Sequence, residues 1–146
     1  MTITENISSL RREVAQICAR IQRKSGEITL VAVSKGEPIK KIREAVAAGI
    51  TDIGESKCQE LEEKFPDLKS LKPRPDIHFI GHLQSNKVKS VVEMADYIHS
   101  VDSLSLLRKI HYAALDMNKV QNIFLQVNTS GEPQKHGMKP EEVESL

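Results

Sequence analysis

A lysine that directly follows a short apolar run is the residue of this chain best placed to do chemistry. Lys35 closes the stretch Leu30-Val-Ala-Val-Ser34, and Gly36 and Pro38 follow at once. A brief, unbroken apolar run ended by turn residues reads as a strand buried on both faces, as in a parallel sheet. Pro38 suits the first turn of a helix, where its missing N–H is no loss. Lys35 therefore sits at the carboxyl end of a strand, where α/β folds carry their functional groups. An amine there can form an imine with an aldehyde, provided its surroundings keep enough of it neutral. The same position also suits an ordinary solvated residue after a strand.

Other polar groups recur at equivalent places. Glu55 and Ser56, His82 with Gln84 and Asn86, Asp102, and Asn128 with Thr129 and Ser130 each follow a predicted strand. In a parallel barrel they would meet on one rim. Simpler roles compete for some of them. Ser56 (with Gln59, as a capping box) and Ser103 suit helix N-caps, and Asp102 suits the positive end of a helix. His78 and His99 fall within strands and read as satisfied core histidines. His82, His111 and His136 show no metal-ligand spacing, so no metal is assigned. Cys18 and Cys58 fit neither a disulfide framework nor a zinc site, and Cys18 reads as core beside the apolar stripe of the first helix.

The elements that must position these groups alternate regularly. Thr2 and Glu5 form a capping box ahead of a helix with Ile7, Leu10, Val14, Ile17 and Ile21 at helical spacing. Strands are expected over 28–34, 50–54, 77–81, 97–101 and 122–127. Between them lie helices with core faces at Ile39, Ile42, Ala45 and Val46, then Leu61 and Phe65, then Val88, Val91, Val92 and Ala95, then Leu104, Leu107, Ile110 and Ala114. The helix carrying Leu61 and Phe65 runs through Pro66 and stops before Pro73 and Pro75, and Pro140 opens a last helix. Strict βα alternation predicts a parallel sheet with right-handed crossovers. Pattern alone leaves an open doubly wound sheet and part of a (β/α)8 barrel both standing. The turn Ser34-Lys-Gly-Glu-Pro38 is neither a dinucleotide fingerprint nor a P-loop, which argues against Rossmann-type nucleotide binding.

Composition bounds the rest. The 146 residues allow a single domain with a sizeable core. A net charge of +1 with 28% charged residues marks neither a nucleic-acid nor a membrane-surface binder. Aromatics at 3% argue against base-stacking platforms. With no long apolar run and no signal-peptide pattern, the protein is expected to be soluble and cytoplasmic.

Five motifs, in order and at consistent spacing, carry a resemblance. They are Leu-Val-Ala-Val-Ser-Lys at 30–35, Ile-Gly-Glu-Ser-Lys-Cys-Gln-Glu at 53–60, His-Phe-Ile-Gly-His-Leu-Gln-Ser-Asn-Lys at 78–87, His-Ser-Val-Asp-Ser at 99–103, and Leu-Gln-Val-Asn-Thr-Ser-Gly-Glu with Lys-His-Gly at 125–137. Together they resemble the pyridoxal phosphate homeostasis family, which is similar to the N-terminal barrel of alanine racemase. The resemblance implies an α/β fold of alternating βα units, an incomplete (β/α)8 barrel holding about five of its eight strands. It implies pyridoxal 5'-phosphate as cofactor, bound as an imine on Lys35, with Ser56, His82 and Asn128 as further cofactor-binding residues. It implies a carrier without a catalytic reaction of its own. A racemase-like enzyme and a non-binding fragment are the alternatives.

The sequence departs from the family at Ser56-Lys57, where the family often has asparagine and an aromatic. It also stops early in the sixth βα unit, short of the family's phosphate-binding loop, so weak binding with little preference for the phosphorylated cofactor is expected. Lys135 could reach the rim as a second amine or a phosphate contact, although a solvated loop lysine fits equally well. The expected partners are a small-molecule cofactor and, through open sheet edges, a second copy of the chain.

Overall fold

In a computed structural model of the chain, which describes residues 2–144, five strands form one sheet in the order β1-β2-β3-β4-β5, all parallel. The strands are β1 (Val31–Val33), β2 (Asp52–Glu55), β3 (Asp76–Phe79), β4 (Tyr97–Val101) and β5 (Asn122–Leu125). The helices are α1 (Ile3–Arg20), α2 (Ile39–Ala47), α3 (Cys58–Ser70), α4 (Val88–Met94), α5 (Leu104–Asp116) and α6 (Pro140–Glu144). Strands in chain order are the arrangement of a barrel wall. A doubly wound sheet would have placed β1 in the middle. Among the described residues the arc is open, since β1 pairs only with β2 and β5 only with β4.

Register decides which residues share a face. Ala32, Ile53 and Ile77 form one row, and Glu55, Phe79, Ile98 and Ile123 the next. Both rows face the helices. There Ile53, Ile77, Phe79 and Ile98 join Ile42, Val46, Leu61, Leu68, Val91, Val92 and Ile110 in a single apolar core. The opposite face carries the row Val33, Gly54, His78, Tyr97 and Asn122. His78 donates or accepts at both ring nitrogens, 2.8 Å from His99 Nε2 and 2.9 Å from Asp52 Oδ1, and it stacks on Tyr97. His78 and His99 are thus satisfied side chains of the helix-free face. Burial, together with neighbouring His78, holds the His99 imidazole below its ordinary pKa.

Several boundaries differ from the sequence expectation for identifiable reasons. β1 is shorter than 28–34 because its only partner, β2, begins at Asp52, opposite Val31. Ile50 belongs to the end of α2 rather than to β2: Gly49, at φ +94°, donates to Val46 O while the Ile50 N–H reaches Ala45 O. The Ile80 N–H donates to Glu55 O one residue past β3, and the Gln126 N–H to Val101 O one residue past β5. The Thr2–Glu5 capping box is present and, as expected, Ile7 packs against the core and Cys18 is buried, but Leu10 and Ile17 of α1 and Ile21 just after it are exposed, and Ile3 joins the inward side. The predicted core faces of α2 and α4 are correct, and α3 continues through Pro66 to Ser70. Leu104 of α5 is exposed and Leu106 takes its place in the core. No helix among the described residues is long and apolar enough to cross a membrane.

Candidate functional site

The strand ends carry the groups of interest, each set beside a buried anchor. Lys35 follows β1 and is exposed. Carrying the alternation of β1 past Val33 places it on the helix-free face. Among the described residues no carboxylate pairs with it, although Glu55 and Glu60 bond its neighbours Ser34 and Gly36. Both are engaged by Lys64 instead. Lys64 Nζ donates to Glu55 Oε1 at 2.7 Å, to Glu60 Oε1 at 2.6 Å and to Ser34 O at 2.7 Å. Ser34 Oγ donates to Glu55 Oε1 at 2.6 Å, and the Gly36 N–H donates to Glu60. The residues on either side of Lys35 are therefore held by one ionic network.

The electrostatics of this network follow from its geometry. Burial opposes the Lys64 ammonium, but hydrogen bonds to Glu55 and Glu60 outweigh it and raise its pKa above the ordinary lysine value. The Lys64 contact and the Gly36 N–H hold Glu60 below the usual carboxylate range. Glu55 has 0% of its side chain exposed, and its Oε2 has no hydrogen-bond partner.

Ser56 and His82 line one cleft, between the ends of β2 and β3, together with Cys58, Phe79, Leu83 and Lys87. Ser56 does not cap α3. That helix starts at Cys58 with Lys57 in the N-cap position and no side-chain cap, because the Ser56 backbone is packed against Gly81. The Cys58 thiol is pushed up to about 11 by burial and by its contact with Glu62, which leaves it a poor nucleophile.

Asn128 organises the loop after β5. Its side-chain amide donates to Glu132 O and Lys135 O, and its Oδ1 accepts from the Gly131 N–H and Ser130 Oγ. Lys135 is paired with Glu132 inside the same loop, so the solvated-loop reading describes it. Gly137, at φ +132°, allows the chain to turn back; a Cβ there would lie 2.5 Å from Asn128 N.

One cluster was not visible in the sequence. His82, Asp102 and His136 each offer a ligand atom within 4.8 Å of the others. Spacing along the chain argued against such a group, but the three come from the ends of β3, β4 and β5, which the sheet sets side by side. Ser103 takes the N-cap of α5 by accepting from the Leu106 N–H, so Asp102 is not needed there and turns to the imidazoles.

Comparison with known proteins agrees with this arrangement. Residues 6–146 match the family described as alanine racemase, N-terminal domain. The chain belongs to that family. It is 37% identical over 145 residues to the pyridoxal phosphate homeostasis protein of Pseudomonas aeruginosa, covering 99% of this chain and 62% of that protein. The protein of the same name from Escherichia coli K12 is 34% identical over 145 residues, again covering 62% of its length. Among solved structures, PipY of Synechococcus elongatus PCC7942 without PLP superposes with a TM-score of 0.85 at 35% identity, covering 99% of this chain and 62% of that one. PipY with PLP bound gives 0.83 at 34% identity, covering 99% and 61%. The chain thus spans about three fifths of the family members it matches.

Proposed function

We propose that this chain is the N-terminal part of a pyridoxal 5'-phosphate homeostasis protein and that Lys35 is its cofactor-bonding residue. The observation that carries the reading is the free amine of Lys35. It stands at a strand end on the helix-free face, unpaired, while the acidic groups flanking it in the fold are held by Lys64. An amine to be joined to an aldehyde has to be kept out of ion pairs, since pairing with a carboxylate favours its protonated, unreactive form. The cofactor would supply the aldehyde, and condensation with Lys35 would form an imine and release water. Ser56 and His82 would flank the bound group, and Asn128 would act by shaping the loop after β5. The names of the relatives and the PLP-bound structure of PipY support the choice of cofactor. The relatives' names are compatible with a carrier.

The test is borohydride reduction of the chain after incubation with pyridoxal phosphate, followed by peptide mapping. The adduct is expected on Lys35 and absent from Lys35→Ala, whose circular dichroism should be unchanged because an exposed side chain contributes little packing. An adduct on Lys135 or another lysine overturns the assignment.

The open edges support a second element of the proposal. Val33 and Phe124, at either end of the helix-free face, are 50% and 51% exposed, and among the described residues neither β1 nor β5 has an outer neighbour. Such edges invite pairing with a second copy. Sedimentation should show weight-average mass rising with concentration; a concentration-independent monomer contradicts it.

A further inference from the structure

We propose that His82, Asp102 and His136 form a binding site for a first-row divalent transition metal ion, with Zn²⁺ the expected occupant. The starting observation is a half-buried carboxylate that faces two imidazoles. Asp102 has only 15% of its side chain exposed, and its carboxylate makes no hydrogen bond among the described residues. Its near neighbours are two imidazoles, His82 Nδ1 at 3.5 Å and His136 Nδ1 at 3.8 Å from Oδ2. A sheltered carboxylate needs a cation or donors. These separations are too long for good hydrogen bonds.

They are close to what a shared ion requires. Zn–N and Zn–O bonds of roughly 2.0–2.2 Å in a tetrahedron set ligand atoms about 3.3 Å apart. The two distances to Asp102 are a few tenths of an ångström wider, all three ligand atoms lie within 4.8 Å of one another, and the rings must turn about their side-chain bonds for both lone pairs to meet on one ion. The two rings lie 4.2 Å apart and nearly parallel, at 20°. A metal ion would use both rings as neutral nitrogen ligands. Two imidazoles and one carboxylate suit zinc and its first-row neighbours, and they leave a fourth position open to solvent.

The scaffold holds the three ligands without help from an ion. His82 precedes buried Leu83, Asp102 follows buried Val101, and His136 lies two residues before buried Met138. The His136 carbonyl accepts from Gln126 Nε2, the Lys135 carbonyl accepts from Asn128 Nδ2, and the Met138 N–H donates to Gln126 O. The loop set by Asn128 and Gly137 therefore serves to hold His136 against the ends of β3 and β4. The site does not depend on the role assigned to Lys35.

The experiment is a titration of the full, chelator-treated, cofactor-free chain with Zn²⁺ by calorimetry and with Co²⁺ by visible absorption. One equivalent should bind saturably, with a cobalt spectrum of nitrogen and oxygen ligands and no thiolate charge-transfer band. His136→Ala and Asp102→Asn should each weaken binding by at least about tenfold, while His111→Ala and Cys58→Ser leave it unchanged. His82→Gln serves as a second imidazole variant, and circular dichroism checks that each variant is folded. Absence of saturable binding overturns the proposal. So does binding that survives both His136→Ala and Asp102→Asn, or binding that Cys58→Ser abolishes. In each of these cases the three side chains would be neighbours and not a metal site.

Discussion

Lys64→Met is expected to lower the unfolding free energy by about 3–5 kcal/mol, the usual cost of removing one partner from a buried ion pair. The pair qualifies as buried, with Glu55 at 0% and Lys64 at 11% side-chain exposure. Removing the ammonium leaves the Glu55 carboxylate with only the Ser34 hydroxyl as donor, in a layer lined by the apolar core. Since domains of this kind are stable by roughly 5–15 kcal/mol, the variant loses a large share of its margin. Pairing it with Glu55→Met should recover most of the loss, because two apolar side chains replace two desolvated charges. Urea denaturation of the three proteins checks this. A single-variant loss under about 1 kcal/mol would mean that the pair behaves like a surface bridge.

The pH dependence of the same network has a defined sign. Glu60 titrates below its ordinary value, so its contribution is complete above the ordinary carboxylate range and is lost as pH falls through its folded pKa. Lys64 titrates above its ordinary value, so its contribution holds below the usual lysine range and is lost as pH rises through its folded pKa. Stability from this network is therefore flat through neutrality and declines at both extremes.

How far the sequence foretold these features depended on how local each one is. Alternating apolar runs and helical stripes predicted five parallel strands, because each reports burial on its own element. β4 falls on 97–101 as expected. Boundaries failed where a partner decides them, as at Ile28 to Leu30, which are left unpaired by the start of β2. The apolar stripe of α1 was read as core, but one helix sequence cannot say which neighbour will cover it. The position of Lys35 at a strand end was legible. Its unpaired state was not, nor was the anchoring of its neighbour Ser34 by Lys64, thirty residues further along the chain. The one available signal was Glu60 preceding Lys64 by one helical turn, a spacing that also describes ordinary surface pairs. The His82, Asp102 and His136 cluster was illegible for the same reason. Three loops that are far apart in sequence become neighbours only once the strands are placed in order.

Gly81→Ala is expected to cost about 3 kcal/mol or more, at the upper end of overpacking penalties. The position requires space and not a special backbone, as Gly81 does not lie among the positive-φ glycines. An added Cβ would overlap the carbonyl oxygen of Ser56 and lie 2.7 Å from its carbonyl carbon and 2.9 Å from its Cα. All three are backbone atoms, so no rotamer change can relieve the overlap. The ends of β2 and β3 must separate, which strains the Ile80 N–H to Glu55 O bond at 2.8 Å. That movement would displace Ser56 and His82 together, so trapping of cofactor and binding of Co²⁺ should both weaken alongside stability. Gly36→Ala is the matched comparison. Gly36 has φ +73° with nothing within 4 Å of an added Cβ, so the cost there is only the left-handed backbone, about 1–2 kcal/mol. Urea midpoints should therefore fall further for Gly81→Ala than for Gly36→Ala. The reverse order would show that the two strand ends can part freely and that the rim is not held by this contact.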